Sequence, residues 1–559
     1  MPGNQNIPIT STLVIDIKTD KAIYFPGETV TFTIDRIVPP GSIIRYRHLL
    51  QTIKQVFYSR QTWTWQTPSK DFTGYLVEIY KIEAGREVMN GAIAVDVSSD
   101  WKRFPRYGFL SKFPRLSESQ MDAVIDILNR HHINGIQFYD WAEKHHKPLA
   151  GTVSNPSQIW FDIANRQTYK ATVEGYIYKA HQKGIQAMSY NLCYGALNDA
   201  SDDGVKPEWY LYDDPHHTKM TVFDKGSFLK SPIYLMDPSN PDWQNYLAER
   251  NEDFYSIFAF DGFHIDQLGD WGIKYNYNDQ PVNVVGGFGS FVQAMKKYHP
   301  DKRLIFNAVN QYGQGKIIAG SSVDFLYTEV WNPNENYEDL SHIIRINEKL
   351  SNNTKNSILA AHVNYNLADN AGQFNTPGVL FADAVIFVFG GAHLELGEHM
   401  LAKEYFPNSN LRMPEDLKKS VIEYYDFLVA YQNLLRDGGT FNNPEIKATD
   451  SKVFIKTWPP QTGAVSVIGK SIGNRQILHL INFMTNSLDW RDTNGTKSVP
   501  ELIYDLKLAY STNQNVSRVW FASPDLNYGS PIELDFQKNN NHLTFIVPSL
   551  RYWDMIMTE

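Results

Sequence analysis

The chain has 559 residues, too many for one hydrophobic core, so two to four domains are expected. Its composition is globular, 42% hydrophobic and 20% charged, and its net charge of −9 argues against a phosphate backbone as the main partner, so no nucleic acid is expected. A single cysteine, Cys193, excludes a disulfide framework and any cysteine-cluster zinc site, and the longest apolar stretch, near Ala382–Ala392, is too short to span a bilayer.

The start, Met1-Pro-Gly-Asn, has neither a basic opening nor an apolar run, so the chain reads as cytosolic or as a mature form whose leader was removed. Residues 12–98 hold short alternating segments, at 13–18, 30–34, 60–66, 75–82 and 91–97, with Pro26-Gly27 suited to a type II turn. They predict an N-terminal immunoglobulin-like β-sandwich over 1–102 with an accessory role.

From residue 103 the period changes, and amphipathic helical runs alternate with short, wholly apolar strands. Ser117 and Gln120 have capping-box spacing, 169–183 reads as a helix ending before Gly184, and Asn240-Pro241 opens another. Strands are expected at Tyr107-Gly-Phe-Leu, 133–140, 185–191, 263–266, 303–308, 324–329, 358–363 and 384–391. Eight such units predict a (β/α)₈ TIM barrel over 103–437. After a helix at 413–435 the pattern is strand-like again, with segments at 453–457, 477–482, 517–521 and 543–547. They predict a C-terminal antiparallel β-sandwich over 438–559.

In a barrel, chemistry sits at the C-terminal strand ends. There the sequence offers Tyr139-Asp140-Trp141, Asn191 with Tyr194 close behind, His264-Ile-Asp266-Gln267, Tyr327-Thr-Glu329-Val-Trp331, and His393 with Glu395 after Gly390-Gly391. Such a rim, nearly free of Lys and Arg, suits an uncharged polyhydroxyl ligand, and the 14% aromatic content agrees with stacking on sugar rings. Asp266 and Glu329 each follow an apolar strand, and two carboxyls flanking one bond are what glycoside hydrolysis needs. No metal or other cofactor is expected: His393-Leu-Glu395 lacks the cysteines of a zinc deaminase, and no His-Glu-x-x-His occurs. The glycine runs at 286–289 and 313–316 read as turns, and the pairs His131-His132, His145-His146 and His216-His217 as surface or loop residues.

Gln137-Phe-Tyr-Asp-Trp with His145-His, Gly262-Phe-His-Ile-Asp-Gln-Leu-Gly, Tyr327-Thr-Glu-Val-Trp, and Gly390-Gly-Ala-His-Leu-Glu-Leu-Gly-Glu-His-Met with Glu404-Tyr-Phe-Pro occur in this order. Together they resemble glycoside hydrolase family 66, the dextranases and cycloisomaltooligosaccharide glucanotransferases, over most of 103–437. The resemblance implies a retaining attack on α-1,6-linked glucan, with Asp266 as nucleophile, Glu329 as acid/base and Asp140 binding sugar hydroxyls. The glucanotransferases carry a carbohydrate-binding insertion inside the catalytic region. Only 63 residues separate Asp266 from Glu329, and no β-rich block of module size interrupts the barrel, which favours an endo-dextranase releasing isomaltooligosaccharides over a cyclising transferase. A secreted, cell-surface or periplasmic place is expected because dextran is a polymer that must be cut outside the cytoplasm, and a monomer is expected. A transglycosylase of the same fold and a non-catalytic glycan-binding protein are the rivals. On this reading Glu329 must have a raised pKa. Tyr327 and Trp331 supply its apolar wall and Trp141 a stacking surface. Tyr139, Asn191, Tyr194, His264 and Gln267 complete the sugar contacts, and His393, with Glu395 beside it, hydrogen-bonds substrate hydroxyls.

Overall fold

Short apolar runs flanked by helices form the centre of the molecule, since a strand covered on both faces can be hydrophobic throughout. The computed structural model describes residues 9–10, 15–450 and 453–559. In it β1 (Tyr107–Leu110), β2 (Gly135–Phe138), β3 (Gln186–Leu192), β4 (Gly262–Asp266) and β5 (Arg303–Phe306) form one parallel sheet in that order. A second parallel sheet holds β6 (Leu326–Glu329), β7 (Ser357–Ala360) and β8 (Ala392–His393). Single parallel bridges, Asn307 to Tyr327 and Phe109 to Gly397, connect the two sheets. Among the described residues no continuous ladder closes the eight strands into one sheet.

The helix signals hold where caps carry them. Helix α1 (Glu118–Arg130) opens on the Ser117–Gln120 capping box, α2 (Lys170–Gln182) stops just before Gly184 at φ 72°, and α3 (Pro241–Tyr255) is capped by the Asn240 side chain. Helices α4 (Val284–Tyr298) and α5 (Tyr337–Leu350) follow β4 and β6. The expected strand at 384–391 is a correction. Those residues belong mostly to α6 (Thr376–Val388), a helix buried at every position. A run that is apolar all round has no period to separate strand from helix. The usable signal was Pro377 in the first turn, and β8 is left with two residues. Helix α7 (Glu415–Ala430) takes up most of 413–435.

Before residue 103, sheets of five and three strands enclose one core that includes Phe32, Tyr46, Trp63, Val77 and Ile93. Two of these strands, Ile43–His48 and Gln51–Phe57, escaped the sequence reading; the second is exposed along nearly its whole length, so burial imposes no alternation on it. Leu13 and Val14 lie outside the described residues. After residue 438, a seven-stranded and a four-stranded sheet share a core that includes Val465, Leu478, Leu508 and Phe545. Helix α7 packs on the N-terminal five-stranded sheet: Ala94 N–H donates to Asp426 at 2.8 Å, and a Cβ on Gly74 would lie 2.0 Å from the Val429 carbonyl oxygen. No helix among the described residues is long and apolar enough to cross a membrane.

Candidate active site

Strand alternation places the site. On β4, Phe263 and Ile265 enter the core beneath α3 and α4, so His264 and Asp266 face the other way. On β6, Tyr327 and Glu329 share a face in the same manner. Tyr190 pairs with His264 in register, and Leu192 with Asp266. The result is a buried aromatic layer under two carboxyls. The His264 ring lies 4.9 Å from Tyr327, edge to face, and 5.7 Å from Tyr190, and the Tyr107 hydroxyl sits 3.2 Å from its Nδ1. Burial pushes His264 down to about 3, so it is neutral.

Asp266 is held by three donors: the Tyr190 hydroxyl, the Gln267 N–H at 2.8 Å and the Asn307 amide at 2.8 Å. The same Asn307 nitrogen donates to Glu329 Oε2 at 3.0 Å. One nitrogen hydrogen-bonded to both holds an oxygen of Asp266 and an oxygen of Glu329 within the span of two hydrogen bonds. Burial, and then the charge of Glu329, push Asp266 up to about 7 against the pull of its donors. Burial also acts upward on Glu329, but His362, with Asn307 and Trp331, outweighs it and holds that carboxyl below its ordinary range. The His362 Nε2 lies 3.6 Å from Glu329 Oε1. The upward push thus falls on Asp266 and the downward one on Glu329, the reverse of the expected raised pKa at Glu329.

The pair opens into a cleft of about 480 Å³. Of the residues expected there, Tyr139, Asp140, His264, Asp266, Gln267, Tyr327 and Glu329 line it. Tyr139 stacks on Phe406 at 4.4 Å, and Asp140, at a left-handed φ of 50°, is pushed up to about 7 by burial and by Asp162 and Asp266. The others are corrections. Trp141 is 1% exposed and packs against Phe254, Phe258 and Phe260, in the core and not on a sugar face. Asn191 spends its side chain on His145, and Tyr194 accepts from Leu268 N–H while stacking on Phe288. Trp331 is outside the cleft lining and packs beside His362, with ring centroids 5.3 Å apart.

His393 and Glu395 are each 2% exposed. The His393 Nδ1 lies 2.8 Å from Asp383 and its Nε2 2.7 Å from the Ala361 carbonyl, so both ring nitrogens are engaged inside the protein. Burial pushes Glu395 up to about 8 and Asp383 well above the carboxylate range, which leaves these acids protonated around the imidazole. The pairs His131-His132 and His145-His146 are buried and not on the surface, and His145, which follows β2 closely enough to reach the rim, lines the cleft. The sequence reading also passed over Tyr190, Asn307, Phe228 and the Glu404–Phe406 segment as site residues. Tyr190 and Asn307 stand at strand ends beside Asp266, which was the available signal.

Known proteins were compared with this geometry in view. The chain matches the profile of glycosyl hydrolase family 66 over residues 19–557. A cycloisomaltooligosaccharide glucanotransferase from Niallia circulans is 27% identical over 704 aligned positions, covering 96% of this chain and 71% of the relative. A dextranase from Streptococcus salivarius is 25% identical over 567, covering 87% and 67%. The crystal structure of a cycloisomaltooligosaccharide glucanotransferase from Paenibacillus sp., complexed with cycloisomaltoheptaose, superposes with a TM-score of 0.88 at 25% identity, over 98% of this chain and all of that one. The chain belongs to glycosyl hydrolase family 66.

Proposed function

We propose that the protein is a retaining endo-dextranase that cuts α-1,6-glucosidic bonds, with Asp266 as nucleophile and Glu329 as acid/base. The observation that carries this reading is the Asn307 bridge, because two carboxyls hydrogen-bonded to one nitrogen suit the close pair of double displacement, about 5–5.5 Å apart, better than the wider pair of an inverting site. The relatives are named for dextran or for cyclic isomaltooligosaccharides, which supports α-1,6-glucan as the substrate. On this reading β1 to β8 act as a (β/α)₈ barrel over 103–437 between two β-sandwiches, and the cleft is its mouth. The enzyme acts on its polymer outside the cytoplasm as a monomer.

Double displacement needs one proton and one charge on the pair. Asp266, pinned by three donors, is the fixed partner that can meet an anomeric carbon along a set line. Glu329 keeps 16% of its side chain exposed and can exchange its proton with water between the two steps. A positive anomeric carbon over Asp266 favours its carboxylate, and a glycosidic oxygen against Glu329 calls for the proton there, so bound glucan opposes the upward push on Asp266 and the downward one on Glu329. The choice of hydrolysis over cyclisation rests on the sequence, where no β-rich block of module size interrupts residues 103–437.

Incubation with dextran, pullulan and starch in parallel, with products sized over time, tests this. Rapid shortening of dextran alone, with linear products, is expected. Cyclic products would give the glucanotransferase reading, and activity on starch without dextran would overturn both.

A further inference from the structure

Glu329 is gripped from outside its own sheet. The His362 Nε2 lies 3.6 Å from its Oε1 and the His362 ring 5.3 Å from that of Trp331, and these two residues belong to the segments that follow β7 and β6. Both segments are tied to one side chain of the C-terminal region, Arg491. Its Nη2 donates to the Val330 carbonyl at 3.1 Å and its Nη1 to the His362 carbonyl at 3.4 Å. The guanidinium carbon also sits 5.2 Å from the Trp331 ring centroid and 4.4 Å from that of Trp490.

The loop that carries Arg491 is itself anchored. The Trp490 indole donates to the Asn334 carbonyl at 2.8 Å, Asn364 N–H donates to the Arg491 carbonyl at 2.8 Å, and the Asp492 carboxylate, 1% exposed, accepts from the Asn364 and Asn375 amides. We propose that Arg491 is a positioning residue for the acid/base: through the Val330 and His362 carbonyls and the face of Trp331, it fixes where the Glu329 carboxyl stands over the scissile oxygen. Only a planar fork can hold two carbonyls and lie flat on an indole at once; an ammonium makes point contacts and does not stack in this way.

This rests on Glu329 being the acid/base, and the test keeps the two readings apart. Wild type and Arg491→Lys are assayed on dextran and on an aryl α-isomaltoside with an activated phenol leaving group, alongside melting curves. The wild-type rate on dextran alone judges the functional reading. The ratio between the two substrates judges Arg491, because an activated phenol needs little protonation and a sugar alcohol needs much. A displaced proton donor is expected to lower turnover on dextran about tenfold or more while largely sparing the aryl substrate. Equal losses on both substrates, or no loss, would overturn the proposal, since a merely structural arginine changes the amount of folded enzyme and not this ratio. Should Arg491→Lys not fold, Arg491→Gln, which retains an amide donor without the planar cationic fork, is read by the same ratio.

Discussion

Asn307 is the residue on which the site turns. One amide nitrogen serves both carboxyls, so its loss removes two charge-assisted hydrogen bonds at once. Asn307→Ala is expected to lower turnover on dextran ten- to hundredfold, about what one or two such bonds supply, with little change in melting temperature. A loss of stability without a loss of turnover in the folded fraction would count against the bridge. Asp266 carries a stability cost of its own. Its folded pKa of about 7 lies above the unfolded value of about 3.9, so the native state binds the extra proton between those limits. Stability from this group therefore falls as pH rises from about 4 to about 7 and stays low above that. Asp266→Asn should melt several degrees above wild type at pH 8, with the gap closing toward pH 4; a gap independent of pH would refute the shift. Asp266 and Glu329 were legible in the sequence because each ends an apolar strand. The bridge was not, because nothing in one sequence says which strand-end amide lies between two acids.

At the scale of elements, the sequence was readable wherever a cap or a period marked the chain and unreadable where burial is total. Helix α6 carries no polar face to set its period, and misreading it as the eighth strand moved His393 and Glu395 to a cleft they do not touch. The turn after β2 misled differently. Asp140 takes a left-handed φ, which breaks strand alternation and sends Trp141 down among Phe254, Phe258 and Phe260 while Asp140 stays at the cleft. Trp141→Ala should accordingly cost about 3–5 kcal/mol in denaturant unfolding, as a buried aromatic does, with turnover per folded molecule retained. His393→Ala should likewise lower the melting temperature more than the activity. A stable His393→Ala variant with weakened action on dextran would return that residue to the substrate.

For the molecule as a whole, the residues before 103, from 103 to 437 and after 437 hold one another through buried polar contacts. The Arg106 guanidinium lies 2.8 Å from Asp96 of the N-terminal sheet, with both side chains fully buried, and the Lys470 ammonium donates to the Leu435 carbonyl at 2.8 Å. Cutting the chain at 103 leaves the buried Arg106 charge without its partner, at about 3–5 kcal/mol, and cutting at 437 takes the donor from the Leu435 carbonyl. A fragment of residues 103–437 is therefore expected not to fold alone, judged by far-UV circular dichroism and proteolysis; a folded, active fragment would contradict the account. These ties cross domain boundaries, and one-sequence patterns report local order only, so the flanking regions looked accessory when read from the sequence.

The central claim is the division of roles between Asp266 and Glu329. Azide rescue, with the anomer of the product identified by NMR, tests it most directly. In Glu329→Gln, azide should attack the β-linked glucosyl-enzyme formed on Asp266 and give the α-azide. In Asp266→Gly, azide should take the place of the missing carboxylate, attack the α-linked substrate and give the β-azide. Opposite anomers in that order are predicted; the reverse order, or the same anomer from both variants, would contradict the assignment.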